Sequence, residues 1–374
     1  MSTVVAKKPS VLSFQDLVRA AILAPSPDNN QPWRFAFRDR RLTVFVDPRR
    51  ELPSDVGSMF SYMALGAAVE NACIAGRQSG HASQVEFVAE TSRLHRDDDA
   101  PRPVAHITFT GSSEADPLFA QLDKRCACRK MYSRQAVPAP VLDRLRQQAG
   151  GFFGASLDFV TERRQMASLA RLVAAGDRIR LEYEPFHAEL YRQIRFTPHE
   201  AENTRDGLDV RTFELPPGAA TLLQWLRSWP RMSLFSRLGL TRLLAAPSAK
   251  AVRASGAIGV LTVAHAAPEL YLTGGRALQR VWLAAQAENL ALHPLGSLPI
   301  FLAHHEQTGG GLLLPAHQRR VARIADGFRR LVPNVGDRSL VMLFRLGHAT
   351  PPTIRSLRRP VEDVILVDDE RKGR

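Results

Sequence analysis

Cysteine is scarce in this chain: Cys73, Cys126 and Cys128 are all there are in 374 residues. An odd count, with two of the three almost adjacent, excludes a disulfide framework and points to a reducing compartment. Cys126-Ala127-Cys128 has no second pair of ligands to go with it, so no metal centre is expected. Long apolar runs are missing too. The nearest approach to a membrane span, AIGVLTVAHAAPELYL from Ala257, is broken by His265, Pro268 and Glu269. The opening MSTVVAKKPSVLSF has no apolar core of the kind a secretion signal needs. The expectation is therefore a cytoplasmic protein with no membrane partner.

Familiar catalytic and nucleotide signatures are absent as well. No convincing Ser-His-Asp set stands out. His304-His305-Glu306 is too compact to offer two metal ligands on one helical face and reads as a loop or a metal-free surface. Gly309-Gly310-Gly311 has no G-x-G-x-x-G at a strand-to-helix junction and reads as a connector. The formal net charge of +13 comes almost wholly from arginine. Those arginines are scattered, with no run of five basic residues and no zinc-finger, helix-turn-helix or RNA-binding signature, so nucleic acid is not the expected partner. A phosphate-bearing small molecule uses the same side chains more economically.

What is present is a globular composition, 45% hydrophobic and 23% charged, in a chain long enough for one large domain or two ordinary ones. Between residues 11 and 112 helix and strand patterns alternate. A helix ends near Ala24, strands run near 33–37 and 41–46, a helix covers about 58–78, and strands follow near 84–88 and 103–109. The second half repeats the theme on a larger scale. LGAAVENACIAGRQSG from Leu65 resembles WLAAQAENLALHPLGS from Trp282 in its small residues and its Glu-Asn pair, although Ala-rich core helices look alike without any duplication. Residues 186–250 mix Leu222, Trp225, Trp229 and Phe235 with many charges, which suits a helical insertion with one apolar face. It could cover a pocket or simply extend the core.

Three stretches carry chemistry. APSPDNNQPWRF, residues 24–35, places two amides, a glutamine, a serine and an aspartate on one short loop. Arg125 and Arg129 stand four residues apart at the end of a helical segment, where two guanidinium groups can converge on one phosphate. Alone, such a pair is most often a solvated basic face. In the tail, an apolar strand ends at Gly347, and Arg355, Arg358 and Arg359 precede Pro360-Val361-Glu362-Asp363.

Together and in order, these stretches resemble the flavin-dependent nitroreductase family, in particular its twin-domain (Acg-type) branch. Pro25, Ser26, Asn29, Gln31, Pro32 and Trp33 match P-S-x-x-N-x-Q-P-W. Arg125-Cys126-Ala127-Cys128-Arg129 resembles R-x-S-x-R, with alanine for serine. Gly347 through Asp363 is similar to the family's closing segment, and GGRALQRVWLAAQAENLAL from Gly274 to the twin-domain branch. The resemblance implies an α+β fold of two fused, pseudo-symmetric halves, 1–112 and 113–374, each with a mainly antiparallel sheet flanked by helices. It implies a pseudo-dimer within one chain, itself a monomer or a homodimer, acting on a small-molecule substrate.

The resemblance also implies FMN as cofactor and NAD(P)H as electron donor, with nitro or quinone reduction or oxidation of a biosynthetic intermediate as the reaction. An FMN-sequestering protein without turnover is the alternative. The implied cofactor contacts are Pro25, Ser26, Pro27, Asn29, Gln31, Arg125, Ala127, Arg129, Pro299, Ile300, Phe301, Arg355 and Arg358. Arg125 and Arg358, with Arg355, would hold the phosphate, Arg129 the pyrimidine edge, and Gln31 could instead brace the loop. SLPIF, Ser297 to Phe301, is similar to the segment that meets the flavin N5 edge, but Phe301-Leu302 stands where the family usually has Glu-Gly. The flavin carries the chemistry, so no catalytic side chain is expected. The first half has the loop and the second half the arginines, so a single FMN per chain follows.

Overall fold

A computed structural model of the chain describes residues 12–88 and 99–366. The opening stretch read above as lacking a signal core falls almost wholly outside them. Ser13 starts α1 (Phe14–Ala21) by accepting a hydrogen bond from the Asp16 amide at 3.3 Å. Leu17, Val18, Ala20 and Ala21 form its buried stripe. β1 (Trp33–Arg38) and β2 (Arg41–Val46) pair antiparallel around a two-residue turn. Asp39 and Arg40 in that turn have φ of 50° and 60°, the left-handed geometry that matches strand twist in a tight hairpin.

The Asp55 carboxylate caps α2 (Met59–Gln78), accepting from the amides of Phe60 and Ser61 at 2.8 Å each. Every residue of α2 from Met59 to Gly76 is buried, as befits a mostly apolar helix whose few polar side chains, Ser61, Glu70 and Asn71, find partners inside. β3 (Ala82–Phe87) and β4 (Arg102–Thr110) complete an antiparallel sheet in the order β1-β2-β4-β3.

α3 (Ala139–Gly150) leads into β5 (Ala155–Val160), after which the chain is mostly helical. α4 (Arg163–Glu182) and α5 (Glu184–Gln193) come first. β6 (Ile194–Arg195) and β7 (Leu208–Asp209) form a small parallel pair around α6 (Pro198–Thr204), and α7 (Ala219–Trp225), α8 (Trp229–Arg237) and α9 (Thr241–Arg253) follow. β8 (Ala257–Val263), α10 (Pro268–Ala287), β9 (Ala291–Leu295), α11 (Ser297–Thr308), α12 (Pro315–Leu331) and β10 (Ser339–Gly347) close the fold.

The second sheet runs β5-β8-β10-β9, all antiparallel. Both sheets thus place their first, second, fourth and third strands in the same spatial order. Each has a helix before its first strand and a buried helix after its second. The α+β architecture expected from the sequence is observed.

Two details differ from the sequence reading. The helical block begins at Arg163 rather than 186 and occupies the place where the first sheet has only the Asp39-Arg40 turn. The two Glu-Asn pairs are not equivalent: Glu70 is buried in mid-α2, whereas Glu288 caps the end of α10.

α2 and α10 cross at glycine. A Cβ on Gly66 would lie 2.0 Å from the Leu272 carbonyl oxygen, and one on Gly275 would lie 2.0 Å from that of Met63. Beside the crossing, Glu70 meets Arg77, Arg276 and Arg280 at 2.9–3.2 Å. One apolar core runs from α1 and the first sheet across α2 and α10 to the second sheet. A second lies among α4, α11, α12 and the second sheet.

The tail then returns to the first half. The Phe35 amide donates to the Val364 carbonyl and the Leu366 amide to the Phe35 carbonyl, both at 2.8 Å. Val361 and Val364 are buried in the main core.

Candidate functional site

A cavity of about 600 Å³ opens where loop 23–29, the first turns of α2, segment 122–129, α4, α5, α10 and tail residues 354–358 meet. The loop explains its own composition. Asp28, Asn29 and Gln31 have φ of 45°, 57° and 52°, and Asp and Asn are among the few side chains that enter the left-handed region readily. Once there, the side chains tie the loop down. The Ser26 hydroxyl accepts from the Gln31 amide at 3.0 Å. The Asn29 Nδ2 donates to the Leu357 carbonyl at 3.1 Å, and its Oδ1 accepts from Arg358 at 2.8 Å.

Three guanidinium groups gather at this end. Arg358 donates to the carbonyls of Ile22 and Ala24 at 2.8 and 3.1 Å, and Arg355 donates to the Arg125 carbonyl at 2.9 Å. Arg125 stacks over the Trp282 ring at 4.5 Å and donates to the Leu23 carbonyl at 2.8 Å. Among the described residues none of the three has a carboxylate partner. Burial, with repulsion from Arg358 and Arg355, pushes the Arg125 guanidinium down to about 9. Burial and Arg355 push Arg358 down to about 10. The Arg125 Nε is buried with no hydrogen-bond partner at all. This is a cationic pocket poised for an anion.

Arg125 and Arg129 are not on a helix, contrary to the sequence reading. The segment is extended, Ala127 bridges in parallel to Leu292, and the Cys128 amide donates to the Leu292 carbonyl at 3.0 Å. Extended chain also returns to one face every second residue, which brings Arg125, Ala127 and Arg129 to the cavity, with Cys126 beside them at its edge. Arg129 lies over the Phe213 ring at 5.3 Å and donates to the Thr212 hydroxyl at 3.3 Å. Burial lowers its pKa, and Asp28 partly restores it.

Of the remaining positions named from the sequence, Pro25, Ser26, Pro27, Asn29, Ile300, Phe301, Arg355 and Arg358 line the cavity. Gln31 and Pro299 do not. Gln31 is fully buried, donating to the Arg205 carbonyl at 2.8 Å and accepting from the Arg359 amide at 2.9 Å, so it braces the loop. Pro299 is buried within α11 away from the cavity, and its neighbours Ile300 and Phe301 do the lining. Phe301 packs against Phe186, with ring centroids 5.4 Å apart and the planes tilted by 58°. His304 is on that helix and not in a loop, and its Nε2 meets the Ser54 carbonyl at 2.9 Å. No group of three or more His, Cys, Asp or Glu among the described residues is placed to hold a metal ion.

Residues 186–250 do line the cavity, through Phe186, Leu190, Thr212 and Phe213 among others, but sequence reasoning missed the wall contributed by α4. Asp177 and Arg180 project from α4 into the cavity; Arg180 pairs with Asp28 at 2.6 Å, and the Ser297 hydroxyl donates to Asp177 at 2.5 Å. Burial raises the Asp177 pKa, with the Ser248 and Ser297 hydroxyls opposing it. The legible signal was charge on an apolar stripe: Val173, Gly176, Asp177 and Arg180 follow the i, i+3, i+4, i+7 spacing of one helical face.

No family model matches the chain. A curated relative, the uncharacterized protein MT1398 of Mycobacterium tuberculosis (strain CDC 1551 / Oshkosh), is 29% identical over 346 residues, which is 92% of this chain and 47% of that protein. The chain thus spans about half the length of the curated relative it matches. Among solved structures it is similar to the FMN-dependent nitroreductase NfnB from Mycobacterium smegmatis in complex with NADPH. That likeness has 18% identity, a TM-score of 0.37 and coverage of 66% of this chain and 96% of the other. It is also similar to a nitroreductase with bound FMN from Bacteroides fragilis, with 9% identity, a TM-score of 0.37 and coverage of 68% and 100%.

Proposed function

We propose that the chain is an FMN-dependent oxidoreductase of the nitroreductase type, with one flavin held between two fused halves of related topology. One observation carries the reading. Three guanidinium groups from segments far apart in sequence, Arg125 buried, Arg358 half-buried and Arg355 at the surface, converge with no carboxylate partner among the described residues beside the amide-rich loop, on a cavity of about 600 Å³, within the range that holds a small cofactor and its substrate. The residues fit the group: the unpartnered Arg125 Nε calls for an acceptor, which a phosphate dianion supplies.

FMN held there by Arg125, Arg355, Arg358 and the amide loop would supply two-electron redox chemistry between a reduced nicotinamide or organic substrate and a nitro, quinone or biosynthetic acceptor. The chain's own groups bind, orient and exclude water. Arg125, Arg355 and Arg358 neutralise the phosphate, and Asn29 holds Arg358 in place for that task. Ser26 keeps its hydroxyl proton free for the ribityl chain. Arg129, held by Thr212 over Phe213, favours negative charge at the pyrimidine edge. Phe186 and Phe301 wall the cavity where the acceptor would lie. Asp177, whose pKa burial raises against the Ser248 and Ser297 hydroxyls and Arg180, adds a carboxyl group to the same wall.

Purified protein should be yellow, should release FMN on heating, and should bleach on anaerobic mixing with NADPH or NADH. A colourless protein that takes up no FMN refutes the reading. The lining by Phe186, Leu190 and Phe213 favours a second reading, sequestration of FMN beneath the helical block. Bound flavin that neither nicotinamide bleaches would select it.

A further inference from the structure

The outer face of the helical block carries a chemistry that the cavity does not use. From Leu215 to Pro268 the chain has no aspartate or glutamate, but it has six cations: Arg227, Arg231, Arg237, Arg242, Lys250 and Arg253. All six are exposed, and among the described residues none forms an ion pair. Large apolar side chains stand in solvent among them. Leu234, Leu238 and Leu243 are 57%, 65% and 66% exposed, and Leu222 and Trp225 are 41% and 44% exposed.

The two kinds of residue are ordered. On α8, with Met232 turned into the block, a rotation of about 100° per residue puts Leu234 and the following Leu238 at the centre of the outer face. Arg231 and Arg237 flank them on either side. The Arg231 guanidinium also rests on the Trp225 ring at 5.1 Å, which joins α7 to the same surface.

A leucine centre edged by cations fits one class of partner. A second copy of the chain would bring six like charges against six. A nucleic acid would meet the cations with its phosphates and leave the leucines idle. At the surface of an anionic bilayer both find a place: apolar side chains enter the headgroup and acyl boundary, and guanidinium groups pair with lipid phosphate. We propose that the α7–α9 face docks the protein on an anionic lipid bilayer as a peripheral protein. The expectation of no membrane partner rested on the lack of a spanning run, and no described helix is long and apolar enough to cross a membrane. Neither fact bears on a surface-bound helix. The proposal is independent of the flavin reading.

Flotation of the purified full chain with vesicles tests it. The chain should float with phosphatidylcholine mixed with phosphatidylglycerol and not with phosphatidylcholine alone, and binding should fall about tenfold when salt is raised to about 0.5 M. Leu234→Ser with Leu238→Ser, and separately Arg231→Gln with Arg237→Gln, should each weaken binding at least about tenfold. Both pairs are exposed, so the melting curve should be unchanged, and either pair serves if the other misfolds. Failure to bind the mixed vesicles overturns the proposal. So does undiminished binding by the leucine variant, or tighter binding to duplex DNA that survives the leucine changes.

Discussion

Arg125 is in an unusual position for a buried cation. It has no carboxylate, two cationic neighbours and an unsatisfied Nε, so the empty protein bears a cost that a bound dianion would remove. Arg125→Ala should therefore move two measurements in opposite directions. Flavin affinity should fall about 10- to 100-fold, the worth of one charge-assisted contact at about 1.5–3 kcal/mol. The melting temperature of the flavin-free protein should stay level or rise. Adding Arg358→Ala should leave the purified protein colourless, and full retention of flavin by the double variant would remove the phosphate assignment.

Asp55 offers a residue-scale test of a different kind. Burial raises its carboxyl from 3.8 to about 6, against the two amides that favour its charged form. The folded protein then holds a proton there that the unfolded chain has lost, so this group's contribution to stability falls as pH rises from about 4 to about 6 and is flat above. The difference is on the order of 3 kcal/mol. Carboxyl carbon NMR should show Asp55 titrating near 6, and a midpoint below 4 would contradict it. Neither residue's electrostatics was legible in the sequence, because both depend on burial by remote segments. The amide loop was legible, since Asn and Asp in series signal left-handed backbone.

Among elements, the crossing of α2 and α10 sets the distance between the two halves. A methyl group at Gly66 or Gly275 meets a partner carbonyl that belongs to a rigid helix and cannot turn away. Gly66→Ala and Gly275→Ala should each destabilise by about 3 kcal/mol or more, read as a lower melting temperature by circular dichroism. Gly150→Ala is the control: its Cβ would meet nothing within 4 Å. If both crossing variants melt like the control, the helices are not in contact as described.

The same scale shows where sequence periodicity succeeds and fails. It placed β1, β2 and α2 almost to the residue, because alternation and a long, mostly apolar stretch of small residues leave little choice. It put Arg125 and Arg129 on a helix because i, i+4 is also a repeat of extended chain, and only the bridge to Leu292 decides between them. It began the helical block at 186 because the amphipathic stripe of α4 looks like any core helix.

For the whole molecule, the decisive feature is the returning tail. Residues 354–366 leave the second sheet, deliver Arg355 and Arg358 to the amide loop, and hydrogen-bond to Phe35 in the first sheet. Asn29 and Arg358 are 329 positions apart. No local pattern encodes that meeting, which is why the motif order was informative while the geometry was not. The pseudo-symmetric position has nothing to match. Residues 22–32 between α1 and β1 become residues 151–154 between α3 and β5. That short turn carries no amide and leaves Phe153 96% exposed. A second site would need both a loop and a guanidinium cluster, and the turn is too short to supply the first. Flavin released by heat and measured against protein concentration should therefore approach one equivalent per chain, and two equivalents would show that the halves are functionally symmetric after all.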